Sequence, residues 1–262
     1  MKPRASRNSA ESIRARLLDL AKKRREDFQL TLAHYAIERL LYRLGQSRYR
    51  DQFVLKGAML FVLWEGQLHR PTRDVDLLGY GSPNPEGIAA IFREICAMEA
   101  DDGIVLDTAG LRAERIKEDA EYEGVRLSFL AHLAGARIPM QVDVGFGDIV
   151  SPVPVSFPAI LPLAPPQIQA YQKESVIAEK LQAMVVLDIR NSRMKDFFDL
   201  WVLCRAWSFE SEPLREGHRV HVRTPFDAPA YQHALRADRW LSTRRTEGSA
   251  VDRLFEASST PR

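Results

Sequence analysis

Asp74 and Asp76 stand one residue apart in the run Asp74-Val75-Asp76-Leu77-Leu78. That run reads as a strand, and residues two apart on a strand point to the same face. Val75 and Leu77 then take the buried face and both carboxylates the other. Two carboxylates about 5 Å apart repel by roughly 3 kcal/mol at an effective dielectric of about 20. A cation or flanking bases must offset that repulsion. Mg²⁺ is a hard ion that accepts one or two protein carboxylates and completes its shell with water and phosphate oxygens. A solvated pair at a strand end is the plainer alternative. Asp143 is a second candidate, between Val142 and Val144 on a strand where Ile138, Met140, Val142 and Val144 share one face. Laid beside the first strand, it makes a trio of carboxylates suited to two-metal phosphoryl transfer. At a sheet edge it simply faces solvent.

Two further groups carry chemistry of the same kind. Lys56-Gly57-Ala58 sits at a strand-to-helix turn, where glycine allows close backbone approach and a helix N-terminus favours phosphate oxygens. It is not a P-loop, because the G-x-x-x-x-G-K-[ST] spacing is absent. Later in the chain, Lys180 lies in Glu179-Lys180-Leu181-Gln182-Ala183. Asp196 and Asp199, three residues apart, share a helical face. Arg190, Arg193 and Lys195 cluster in and beside the turn between these two helices. Each of these residues alone reads as easily as an ordinary surface or helix-start charge.

The elements that must position these groups follow from periodicity. Ile13, Leu17, Leu20 and Ala21 mark one amphipathic helix, and Ala33, Ile37, Leu40, Leu41 and Leu44 a second, with Gly45 as its stop. Strands are expected at 53–55, 74–78, 123–130 and 137–145, and short helices at 59–64 and 88–95. Residues 150–168 hold six of the fifteen prolines, which predicts a linker or a rigid surface loop and a domain boundary there. Helices follow over 174–187 and near 194–204. The expected division is basic N-terminal helices in 1–50, a core in 51–150, a Pro-rich linker in 151–169 and a helical part in 170–262. The weakly patterned tail after about 215 supports no assignment.

The whole chain of 262 residues is 45% apolar and 27% charged, ordinary for a globular protein, and it carries no apolar run of membrane-spanning length. With no apolar signal region at the N-terminus and only Cys96 and Cys204, a disulfide framework is excluded and a cytoplasmic setting expected. The net charge of +2 conceals an asymmetry. Residues 1–50 hold 13 Lys/Arg against five Asp/Glu. A basic end on an acidic body suggests a polyanionic partner.

In order, the pieces are Lys56-Gly57-Ala58, Thr72-Arg73-Asp74-Val75-Asp76-Leu77, a later strand acid, Glu179-Lys180-Leu181-Gln182-Ala183 and Lys195-Asp196-Phe197-Phe198-Asp199-Leu200. This succession resembles the AbiEii/AbiGii toxin family of nucleotidyltransferases, in the DNA polymerase β-like superfamily, over roughly residues 10–210. The resemblance implies an α+β fold: a small mixed sheet carrying the nucleotidyltransferase core, flanked by helices, with a helical C-terminal part closing a cleft over the nucleotide. It implies Mg²⁺ (or Mn²⁺) on Asp74 and Asp76, with Asp143 as a third ligand on strand context. Lys180 would hold the triphosphate, Asp196 would be the essential acid of the last motif, and Thr72 and Arg73 would flank the phosphates, with Lys56 and Gly57 at the nucleotide turn. Members are toxins of toxin–antitoxin pairs, several of them phage-defence systems, so a cognate antitoxin is expected. Some related toxins add nucleotides to the tRNA 3′ end, which makes an NTP the substrate and RNA the expected acceptor. The chain departs from the family's K-G-G-T form, because Ala58-Met59 stand where that form has Gly-Thr. A same-fold transferase acting on a protein or small molecule, a kinase-like phosphotransferase, and an inactive RNA- or antitoxin-binding module stay open. A monomer is the default.

Overall fold

The computed structural model describes residues 9–66, 70–117, 123–187, 194–207 and 209. Six helices and seven strands occur among them: α1 (Ala10–Arg24), α2 (Phe28–Gln46), β1 (Phe53–Lys56), α3 (Met59–Glu65), β2 (Asp74–Gly79), α4 (Pro85–Cys96), β3 (Val105–Lys117), β4 (Glu123–Leu133), β5 (Ala136–Phe146), β6 (Val153–Ser156), β7 (Gln167–Ala170), α5 (Lys173–Leu187) and α6 (Met194–Ala206). The strands form one mixed sheet in the order β3-β4-β5-β2-β1-β7-β6. Only β2 with β5 and β1 with β7 run parallel. The mixed sheet flanked by helices agrees with the α+β expectation, although the sheet is larger than expected. Its extra strands are β3, β6 and β7.

Local chemistry accounts for the helix boundaries. Ser9 caps α1 through Ser12 N–H, and Asp27 caps α2 by accepting from Leu30 N–H at 2.8 Å. Asn84 caps α4, with Pro85 at its first position. The apolar stripes of α1, α2 and α4 bury Ile13, Leu17, Leu32, Ile37, Leu40, Ile88 and Phe92 against one face of the sheet, whose own contribution includes Val75, Leu77, Val142 and Val144. Each fully buried aliphatic side chain of this kind contributes about 1.5–3 kcal/mol. That layer fixes β2 and β5 from behind and leaves their polar residues on the other face.

The Pro-rich segment holds two short strands and a loop between them. It supplies β6 and β7, which extend the sheet beyond β1. Pro154 is tolerated because β6 is an edge strand and needs no ladder N–H on its outer side. Pro139 obeys the same rule, since β2 pairs with β5 only from Gln141 onward. The intervening loop is pinned to α2: Ile160 N–H donates to Glu38 Oε2 at 2.7 Å, and Arg39 Nη2 donates to Ala164 O at 2.9 Å.

The N-terminal layer is less basic outside than its composition suggests. Arg39 and Arg43 are buried and ion-paired, with Glu38 and Asp102. Among the described residues the exposed basic groups include the run Lys22-Lys23-Arg24-Arg25 at the α1–α2 corner. Cys96 and Cys204 are free thiols, as expected, and burial pushes Cys96 up to about 12. Among the described residues no helix is long and apolar enough to cross a membrane. The tail beyond residue 209 and the turn with Arg190 and Arg193 lie outside the described residues.

Candidate active site

Register brings the acids together. Asp76 lies opposite Asp143 in the parallel β2–β5 ladder, and the period-2 alternation puts Asp74 on the same face. One carboxylate oxygen from each of Asp74, Asp76 and Asp143 lies within 4.8 Å of the others. Asp74 and Asp76 are half-buried and Asp143 is buried. Three hard oxygen donors at this spacing, partly open to solvent, match the donor set of a hard divalent ion.

The three acids are held differently. Thr72 donates its hydroxyl to Asp74, fixing that carboxylate, while the Thr72 carbonyl receives His34 Nε2 at 2.9 Å. Burial lowers the pKa of His34 below the usual 6.5, so the ring is neutral and Nε2–H donates. Asp143 is gripped by the Arg126 fork at 2.8 and 2.7 Å, and Gln141 adds a third bond at 3.2 Å. Both of its oxygens therefore already carry strong donors. Asp76 lies over Gly57. A Cβ built on Gly57 would come within 2.0 Å of Asp76 Oδ2, and Gly57 has φ +73°, which L side chains rarely adopt. The glycine at the turn thus makes room for the carboxylate itself.

Lys56 pairs with Asp76 across the antiparallel β1–β2 ladder. Its ammonium is buried, 3.3 Å from both Asp148 and Glu179. Asp148 also accepts from Tyr171 OH at 2.9 Å, and Tyr171 N–H donates to Leu55 O. These contacts fasten α5 to β1, and Lys180 follows Glu179 on that helix. Burial alone would lower the Lys180 pKa, but the charges of Asp199 and Asp196 outweigh it and hold it above the usual lysine range. Its ammonium is 2.7 Å from Asp196 and 3.0 Å from Asp199.

Sequence reasoning missed Arg70 and recognised Asp199 only as a face-mate of Asp196. Arg70 grips Asp199 with Nε and Nη2 at 3.1 and 3.2 Å. Desolvation opposes its charge, but the bonds to Asp199 and the fields of Asp76 and Asp74 sustain it. Asp199 therefore joins Lys180 on α5 to the segment that leads into β2. Arg73 is the residue expected to flank the phosphates with Thr72. Alternation turns it away from Thr72 and Asp74, and it is exposed, 4.0 Å from Asp27. Lys195 is exposed as well.

The geometry thus gathers Asp74, Asp76 and Asp143 on one face of the sheet, and the sequence comparison gives the class of protein, a nucleotidyltransferase. Residues 39–254 match the family described as nucleotidyl transferase AbiEii toxin, type IV toxin–antitoxin system, and the chain belongs to that family. The solved structures it is similar to include JHP933 from Helicobacter pylori, with 15% identity, TM-score 0.44, and coverage of 78% of this chain and 86% of that one. Another is an antigenic nucleotidyltransferase-like protein from Paracoccidioides brasiliensis, with 11% identity, TM-score 0.42, and coverage of 76% and 92%. No curated protein matches the chain.

Proposed function

We propose that this toxin-family enzyme transfers a nucleoside monophosphate from an NTP to an RNA acceptor hydroxyl, the tRNA 3′ end being the acceptor we favour, and so arrests translation. The single observation that carries the reading is the convergence of Asp74, Asp76 and Asp143 within 4.8 Å. Asp74 and Asp76 would hold Mg²⁺ or Mn²⁺, with Asp143 sharing its oxygens between the ion and Arg126. When bound there, the ion supplies positive charge to the attacking and leaving oxygens. The acceptor oxygen forms a bond to the α-phosphorus while the bond from that phosphorus to the β-bridging oxygen breaks. The hydroxyl proton passes to solvent and pyrophosphate leaves.

The chain's own residues do the rest. Thr72 orients Asp74, and Gly57 leaves the space that Asp76 occupies. Lys56, on the same turn, holds Glu179 and keeps the nucleotide side of the site assembled. Lys180 neutralises charge on the departing phosphates, and Asp196 keeps its ammonium aimed. A toxin of this type acts with a cognate antitoxin, and its setting would be the cytoplasm, in a phage-defence role.

The test is incubation of the full-length protein with Mg²⁺, each α-labelled NTP and total RNA, followed by separation of RNA, protein and small molecules. Label should enter the RNA fraction and disappear with Asp76→Ala. Label in the protein or small-molecule fraction overturns the RNA acceptor. Transfer of γ- instead of α-label, or equal labelling by Asp76→Ala, overturns the chemistry.

A further inference from the structure

We propose that Asp199 is a positioning residue that locks Arg70 and Lys180 into one clamp for the triphosphate, with Arg70 as a second substrate-binding cation. This rests on the nucleotidyltransferase reading above and extends it to the residues that grip the leaving phosphates. Asp199 is almost fully buried, at 1% exposure, yet it serves two cations at once. Arg70 reaches it by a two-bond fork, and Lys180 meets the same Oδ2 that the Arg70 Nη2 uses. The two cations come from parts of the chain more than a hundred residues apart, and this acid ties them together.

The fork consumes two of the five guanidinium N–H donors, and the planar remainder suits the oxygens of a phosphate. The Arg70 side chain is still 26% exposed, whereas the side chain of Asp199 is buried. The guanidinium is thus partly open to solvent while it lies within the fields of Asp76 and Asp74. Lys180 has three donors, two of them directed to Asp196 and Asp199. A triphosphate entering between the acids and this pair would find donors on both cations already aimed.

Inorganic tripolyphosphate with Mg²⁺, titrated calorimetrically into the full-length protein, tests the clamp apart from the chemistry. Wild type should bind it. Arg70→Gln should weaken binding about tenfold or more, the scale of losing charge-assisted bonds. Arg70→Lys should recover only part, because it restores charge without the fork. Asp199→Asn should weaken binding as Arg70→Gln does, and it should raise the KM for NTP more than it lowers kcat. A purely structural role would lower the melting temperature and leave that KM unchanged. Should Asp199→Asn fail to fold, the partly exposed Arg70 variants decide alone. Wild-type failure to bind tripolyphosphate, or equal binding by Arg70→Gln, overturns the clamp. Binding that follows the prediction in a protein that transfers no label leaves the clamp standing and removes the transferase reading. Normal transfer and normal KM in Arg70→Gln do the reverse.

Discussion

Two clusters of buried charge occupy opposite sides of the sheet, and they are built on different terms. On the helical side, Glu38, Arg39, Arg43 and Asp102 carry two charges of each sign. Arg43 spends all five of its N–H donors there: Nε on Met98 O at 2.9 Å, Nη1 on Asp102 Oδ2 and Arg39 O, and Nη2 on Asp102 Oδ1 and Ile104 O. The Asp102 carbonyl takes Tyr35 OH at 2.6 Å, and burial raises that phenol's pKa beyond the ordinary range. Protein groups alone answer the charge of this cluster. On the other side, Asp74, Asp76 and Asp143 converge with Arg126 as the cation on Asp143, while Lys56, Arg70 and Lys180 are drawn off to Asp148, Glu179, Asp196 and Asp199. Among the described residues these contacts join seven carboxylates and four cations. The first cluster balances its charges, though Arg39 Nε is left without a hydrogen-bond partner, and the second gathers three carboxylates at a partly open site.

The comparison is sharpened most by removing one acid from each side. Asp102→Ala strands a buried guanidinium and should cost about 3–5 kcal/mol of stability. In chemical denaturation, its folded fraction should keep wild-type transfer rates. Asp76→Ala relieves repulsion at a half-open site, so its stability should stay within about 1 kcal/mol of wild type. Its transfer rate should fall about a thousandfold, the scale of losing several kcal/mol of charge stabilisation. If Asp76→Ala proves the less stable of the two, the division between the clusters collapses.

Gly57→Ala lies between these extremes. The new methyl must displace the Asp76 carboxylate, and the left-handed φ adds roughly 1–2 kcal/mol of strain. Activity should drop well beyond what that modest loss of stability explains, measured as rate per folded molecule. The smallest effect concerns His34. Its pKa is lowered by burial, so the unfolded chain binds the proton more readily. The stability that depends on a neutral ring is therefore complete above about 6.5 and lost as pH falls below it. His34→Gln should flatten the decline of melting temperature between about pH 6.5 and 5, and an unchanged decline would exclude His34 as its source.

Much of the site was legible because strand chemistry is periodic. The i, i+2 spacing of Asp74 and Asp76, with Val75 and Leu77 between and beyond, forces both acids to one face. The polar position of Asp143 on an apolar strand supplies the third, and only the pairing Asp76↔Asp143 had to come from the fold. Arg70 was illegible because it lies in a loop, and its partner Asp199 is 129 residues away. No local pattern reports such a contact. The sheet was under-read for related reasons. β6 and β7 are four residues each, β6 carries a proline at an edge, and β3 is a charged edge strand whose pairing with β4 shifts register between Asp107 and Arg112. Edge strands lack the two-sided burial that makes β1 and β2 stand out.

The central claim is that the converging acids are made for a divalent ion. Mn²⁺ binding followed by electron paramagnetic resonance tests it most directly, with wild type set against Asp74→Asn and Asp76→Asn. The account predicts that wild type takes up Mn²⁺, that Mg²⁺ displaces it, and that each variant loses most of this uptake while retaining its fold. Equal uptake by wild type and both variants, or none by wild type even with NTP present, would contradict it.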